Sequence, residues 1–262
     1  MRIVVCIKQV PDTNEVKLDP VKNTLIREGV PSIINHDDKS GIEAALRIRE
    51  VIGGTVTAVC MGPPQADLAL REALAMGCDE AYLLSAREFG GSDTFATAKI
   101  ISAALKKIGY DLIITGRQAI DGDTAQVGPQ IAENLGIPQI SYAEDIQVEG
   151  DKFVVKRQFE DRYHIIEVKT PCLLTALQEL AVPRYMHARG IVEAYKKEVK
   201  LFGFDALKDS FNPEEIGLQG SPTNVYKSFG KMAKGAGTIH KELGPDEAVE
   251  VIIKKMEEKH II

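Results

Sequence analysis

The chain has 262 residues, 44% of them hydrophobic, and a formal net charge of −6: enough apolar matter for a sizeable core, and the wrong sign for gripping phosphate backbones nonspecifically. No apolar run approaches the roughly 20 residues of a membrane-spanning helix, so neither a span nor a signal peptide is expected. Cys6, Cys60, Cys78 and Cys172 lack metal-ligand spacing and mostly lie in or beside apolar runs, which predicts reduced core thiols, a cytoplasmic setting and no metal site.

Ile3–Ile7 is a continuous apolar run suited to a parallel strand covered on both faces. Val16–Leu18 and Thr24–Arg27 flank a small surface excursion. Ile42, Ala45, Leu46 and Ile48 recur on one face of a helix over Ile42–Val51. Val56–Met61 predicts a second strand, Ala66–Met76 a second helix closed by Gly77, and Ala81–Leu84 a third strand. Ser92 or Asp93 caps a helix running through Ile108, Gly109 ends it, and Leu112–Thr115 is a fourth strand. Strands alternating with helices of this length predict an α/β fold on a doubly wound, mostly parallel sheet. Beyond residue 140 the period changes. Lys152–Gln158 and Tyr163–Val168 alternate like an antiparallel hairpin about Phe159–Arg162, and Cys172–Thr175 is a short apolar strand. Lys196–Lys200 reads as a solvated helix face. The hydrophobic pattern then thins until Pro245–Ile262, where Val249, Ile252, Ile253 and Met256 regain helical spacing. The expected organisation is a binding domain over 1–200 and an arm over 201–262, with too little core of its own, that packs on another chain.

Such sheets bind ligands at the carboxyl ends of their strands. Here those ends are Gln9–Asp12, Met61–Pro64, Ser85–Thr94 and Arg117–Gly128. The most informative stretch is Gly116–Pro129, Gly-Arg-Gln-Ala-Ile-Asp-Gly-Asp-Thr-Ala-Gln-Val-Gly-Pro. It is a small, hydroxyl-bearing turn between a strand and a helix start, and can aim several backbone N–H groups at an anion. Its spacing is neither the dinucleotide fingerprint nor a P-loop. Thr94 and Thr97, three apart in the first turn of a helix, can face one anion, although helix capping accounts for Thr94 as well. No catalytic constellation is visible. The histidines are scattered, no Gly-x-Ser-x-Gly or His-Glu-x-x-His occurs, and Asp121 with Asp123, or Glu160 with Asp161, read as turn residues.

Gly116–Asp123 resembles the nucleotide-binding segment of the beta subunit of electron-transfer flavoproteins. Val5–Asp12, Ala73–Gly77, Val155–Arg157 with Pro171 and Thr175, and Pro183–Tyr185 resemble the same family in the same order. The resemblance implies an adenine-nucleotide-binding, Rossmann-like fold with an added antiparallel hairpin and a C-terminal arm. It implies a heterodimer with an alpha subunit that carries its own FAD and serves an acyl-CoA dehydrogenase-type or other flavin dehydrogenase. A bound flavin carries such redox chemistry, so no catalytic side chain is required. Members of the family hold either AMP or a second FAD, which takes a hydride from NADH and splits the electron pair between a high-potential acceptor and a low-potential one such as ferredoxin or flavodoxin.

Ala125, Val127 and Pro129 stand where AMP-holding relatives generally carry amide, hydroxyl and amide side chains. The smaller, less polar turn resembles the electron-bifurcating members, so FAD is expected, with AMP as the alternative. A non-redox nucleotide-binding regulatory module is a remoter reading. The resemblance implies cofactor contacts for Cys6, Asn35, Asp38, Met61, Gly62, Thr94, Thr97, Arg117, Asp123, Thr124, Ala125, Gln126, Val127, Gly128 and Pro129. The pyrophosphate is expected against Thr94, Thr97 and the turn Asp123–Gly128, with NAD(H) approaching beside Met61–Pro64. Partner docking is implied for the loop 183–200, through Pro183, Arg184, Tyr185, Met186 and Ala188. Three departures stand out. Asn35-His36-Asp37-Asp38 replaces an Asn-Pro turn, Glu160-Asp161-Arg162 replaces Asp-Gly-Gly, and Ala188 stands where relatives insert a leucine into their partners. Alanine has far less apolar surface to bury, so Tyr185 or Met186 is the expected anchor.

Overall fold

Ile3, Val4 and Val5 are fully buried in β1 (Arg2–Ile7), a strand covered on both faces as its unbroken apolar run requires. The computed structural model describes residues 1–12, 31–223, 235 and 237–262. The surface excursion expected between Val16–Leu18 and Thr24–Arg27 lies outside these residues. In chain order β1 is followed by β2 (Gln9–Pro11), β3 (Ser32–Ile34), α1 (His36–Ile52), β4 (Thr55–Met61), α2 (Asp67–Met76), β5 (Glu80–Leu84), α3 (Thr94–Ile108) and β6 (Leu112–Gly116). Then come α4 (Val127–Leu135), β7 (Gln139–Glu149), β8 (Lys152–Gln158), β9 (Tyr163–Lys169), β10 (Cys172–Ala176), α5 (Ala188–Lys196), β11 (Val199–Phe202), α6 (Phe204–Leu207) and α7 (Pro245–Glu258).

The main sheet has nine strands in the order β11-β5-β4-β1-β6-β10-β7-β8-β9, and β2 pairs with β3 in a separate antiparallel ribbon. All pairings from β11 to β7 are parallel, and β8 and β9 then extend the sheet antiparallel. Helices cover both faces. Ile42 and Leu46 of α1 and Leu70 of α2 pack with Ile3 and Ile114 on one side. Ile100 and Leu105 of α3 and Ile131 of α4 pack with Val4 and Ile113 on the other. Each such side chain contributes about 1.5–3 kcal/mol by leaving water.

Several expectations change in detail. Helix α1 starts at His36 rather than Ile42, because its first turns bury Asp37, Asp38, Ser40 and Glu43, polar residues that carry no apolar period. Asp93, not Ser92, caps α3, accepting the Ala96 N–H at 3.1 Å. Strand β7 was not expected, and it joins the hairpin to the parallel sheet. The docking loop expected over 183–200 is a short segment followed by α5, then β11. Strand β11 pairs with β5, and Leu207 and Ile216 are buried among the side chains of α3. The chain divides into two compact units, Met1–Tyr226 and Lys227–Ile262. In the second unit, Glu247 reaches back to the Gly244 N–H at 3.1 Å and starts α7, no residue of which is buried. The lysine run is largely engaged: Lys196 with Glu193, Lys197 with the Cys78 carbonyl, Lys200 with Glu80.

Candidate functional site

β1 and β6 are adjacent, but the chain leaves them toward opposite faces, through α1 and α4 respectively. That is a topological switch point, and a cavity of about 900 Å³ opens at the carboxyl ends of the strands there. Asp38, in the first turn of α1, ties the two strand ends together. Its Oδ2 accepts the Lys8 N–H at 2.7 Å and its Oδ1 accepts the Gly116 N–H at 2.9 Å. Burial pushes this carboxyl up to about 7, although both backbone donors favour the ionised form.

The loop after β6 is held from below. Asn35 donates through Nδ2 to the Gln118 carbonyl at 2.8 Å and accepts the Ile120 N–H at 3.2 Å. Lys8 Nζ meets Asp121 at 2.6 Å. Arg117 Nε lies 3.3 Å from Asp37 Oδ2, an ion pair without hydrogen-bond geometry. Burial raises the Asp37 carboxyl, and Arg117 offsets part of that rise. Gln118 Nε2 then bonds Asp123 at 3.0 Å. Beyond it Asp123 and Ala125 take φ of 49° and 52°, a left-handed backbone uncommon for residues other than glycine and found at anion-cradling turns. Across the cavity mouth the Thr94 hydroxyl donates to Gln126 Oε1 at 2.9 Å, joining the starts of α3 and α4. Two helix N-termini therefore converge on one mouth, where their dipoles favour negative charge.

Cys6, Asp38, Met61, Gly62, Thr94, Thr97, Arg117 and residues Asp123 to Gly128 all line this cavity. Two expected contacts do not. Asn35 is fully buried and each end of its amide bonds the loop, so in this structure it supports the loop and does not line the cavity. Pro129 is the third residue of α4 and does not line the cavity. Gly128 is on the wall, but its side-chain direction faces the sheet: a Cβ there would come 2.6 Å from Thr115 Oγ1 and 2.8 Å from Thr175 Cγ2. Its need for glycine is helix-to-sheet packing, not room for phosphate. Burial pushes the Cys6 thiol far up, so it is a neutral wall group. Gln9, Ser85 and Arg87 also line it and fall within the strand-end segments expected from the sequence, whereas Lys8, immediately after β1, lies just outside them.

The docking residues separate into two kinds. Tyr185 is 99% exposed and Met186 38%, whereas Arg184 turns inward onto Glu43 and Glu50. Pro183 is half-buried, and Ala188 opens α5, capped by His187 Nδ1 accepting the Gly190 N–H at 3.0 Å. Ile191, Val192 and Tyr195 stand exposed on that helix. Among the described residues no group of three or more His, Cys, Asp or Glu is placed to hold a metal ion, and no helix is long and apolar enough to cross a membrane.

Residues 22–207 match the family model described as the Electron transfer flavoprotein domain. Over 263 residues, covering 100% of both chains, the sequence is 58% identical to the Electron transfer flavoprotein subunit beta of Thermoanaerobacterium thermosaccharolyticum. The chain belongs to the electron transfer flavoprotein beta-subunit family. Other members of the family similar to it are named for reductases. It is 53% identical, over 264 residues and 100% of both chains, to the Caffeyl-CoA reductase-Etf complex subunit CarD of Acetobacterium woodii. It is 53% identical, over 270 residues and 100% of both chains, to the Acryloyl-CoA reductase electron transfer subunit gamma of Anaerotignum propionicum. The fold agrees with this family: a large, mostly parallel α/β sheet with a small antiparallel ribbon.

Proposed function

We propose that this chain binds an FAD of its own in the switch-point cavity and works in the cytoplasm as half of a heterodimer, the alpha subunit carrying another FAD. The observation that carries the reading is the cavity itself. Its volume of about 900 Å³ suits a ligand larger than a mononucleotide, near the upper end of small-molecule sites, which run to about 1,000 Å³. The residues present fit such a group. The α3 and α4 N-termini with Thr94, Thr97 and Gln126 receive a pyrophosphate, while Cys6, Met61, Leu84 and Phe89 offer an apolar wall. When bound, FAD supplies the redox chemistry, accepting hydride from NADH and releasing electrons toward a flavin dehydrogenase and a low-potential acceptor such as ferredoxin. The chain's own part is to bind, orient and shield. Asp38 and Asn35 hold the loop that forms one wall, and Gly62 to Pro64 form a rim where a nicotinamide can approach. The relatives named for caffeyl-CoA and acryloyl-CoA reductases favour a reductase or dehydrogenase as the electron partner.

Acid extraction of the purified heterodimer tests this directly. The expected result is two FAD per heterodimer and no AMP; a single FAD accompanied by AMP overturns it in favour of a non-bifurcating carrier. Rapid mixing with NADH then reports on the donor, and absence of flavin bleaching counts against the nicotinamide step. Bulk at Gly62 is a poor probe of that approach, because a Cβ there would press on Ala66 Cβ at 3.1 Å.

A further inference from the structure

We propose that Glu43 is a positioning residue for partner docking: through Arg184 it clamps the segment 181–184 onto α1, so that Tyr185 and Met186 project toward the dehydrogenase in a preset direction. The inference rests on the docking reading of that segment and adds a residue that no docking motif contains. Ser40, Glu43, Arg47 and Glu50 are spaced three, four and three apart, so they form one stripe along α1. The stripe receives the segment step by step. Ser40 Oγ accepts the Ala181 N–H at 2.9 Å with both residues buried. Glu43, only 3% exposed, accepts from Arg184 Nε at 2.7 Å, from its terminal nitrogen Nη2 at 3.1 Å and from its backbone N–H at 3.2 Å. Arg47 Nε adds a bond to Glu43 at 2.8 Å, and Glu50 accepts the other terminal nitrogen of Arg184 at 2.7 Å.

These bonds engage all three nitrogens of the Arg184 fork and use three of its five N–H donors, so its direction is set by α1. Burial disfavours the Glu43 charge, yet the arginine bonds outweigh it and hold the carboxyl below its usual range. A buried ion pair is weak as a source of stability, because desolvation cancels much of its attraction; its well-attested use is to fix one geometry. Here the geometry fixed is that of the backbone N–H immediately before Tyr185. Tyr185, 99% exposed, has almost no contacts of its own to set its direction. Ordering the segment before encounter removes part of the ordering cost of association.

The test uses the intact heterodimer exchanging electrons with a purified short-chain acyl-CoA dehydrogenase, reading the KM for that partner, kcat at saturation, flavin content and melting temperature. Tyr185→Ala tests the docking reading. If the unaltered heterodimer exchanges no electrons, or Tyr185→Ala leaves KM unchanged, the docking reading falls and the clamp with it. If docking holds, Glu43→Gln and Arg184→Gln should each raise KM about tenfold at unchanged kcat and flavin content, and the double variant should do no worse than either alone. An unchanged KM for Glu43→Gln beside a raised one for Tyr185→Ala overturns the clamp alone. Additive losses overturn it too, since they would mean that Arg184 meets the partner independently. Should Glu43→Gln fold poorly, Arg184→Lys keeps the charge but loses the fork, and the same rise in KM at an unaltered melting temperature is expected.

Discussion

The Gly116 N–H donates to Asp38 Oδ1 at 2.9 Å, and a Cβ on Gly116 would lie 2.1 Å from that same oxygen. Residue 116 is glycine because a carboxylate from α1 occupies the space a side chain would need. The contact locks the first turn of α1 to the end of β6, and through Lys8 to the end of β1, so one side chain sets the width of the crevice.

That carboxyl makes stability depend on pH. Burial raises it to about 7, so the native state holds its proton more tightly than the unfolded chain, where the value is about 3.9. The associated stabilisation is complete below the unfolded value and is lost as pH rises through about 7. The melting-temperature advantage of wild type over Asp38→Asn should therefore shrink between about pH 4 and pH 7 and level off above. A difference that stays flat across that window would show that Asp38 does not titrate there.

Gly128→Val should damage folding and not only ligand binding. The new side chain meets Thr115 and Thr175 on β6 and β10, and overpacking of this kind costs about 1–3 kcal/mol or more. Chemical denaturation of the ligand-stripped protein reads the effect. Unaltered stability of that form would mean that α4 has room to move off the sheet.

Ala125, at φ 52°, should tolerate glycine and resist β-branching. Left-handed backbone costs a residue other than glycine about 1–2 kcal/mol, and a β-branched side chain is worse still. Ala125→Gly is expected to melt near wild type and Ala125→Val clearly lower. Equal melting of the two would place residue 125 in an ordinary backbone conformation.

All four thiols should be silent in the native protein. Cys6, Cys60, Cys78 and Cys172 are unpaired and buried, and burial pushes Cys60, Cys78 and Cys172 up to about 12. An aromatic disulfide reagent at mildly alkaline pH should titrate none before unfolding and every one after it. Prompt labelling of Cys6 would reveal that the cavity floor opens to solvent.

β1, β4, β5, β6, α2 and α3 were legible in the sequence, because a parallel strand buried on both faces reads as an unbroken apolar run and its helices show a plain period. The start of α1 was not, because its buried side is polar: Asp37, Asp38, Ser40 and Glu43 look like surface residues until their partners are known. β7 and β11 were missed for a related reason. Val199–Phe202 is at best half-buried, and only its pairing with β5 makes it a strand.

The candidate site divides in the same way. Thr94, Thr97 and the turn Asp123–Gly128 could be named in advance because they sit at the helix starts that follow β5 and β6, where side chains are small and backbone donors are free. Sequence alone thus determined the fold class and which loops line the cavity, since both depend on local period and composition. Tertiary structure decided that Asn35 bonds the loop after β6, that Gly128 faces the sheet, and that Arg184 points inward. Each of those outcomes depends on a partner scores of residues away, Gln118, Thr175 and Glu43, brought near only when the sheet is assembled with β10 beside β6 and α1 packed on it; a local pattern reports the period of burial but not what a buried group will meet.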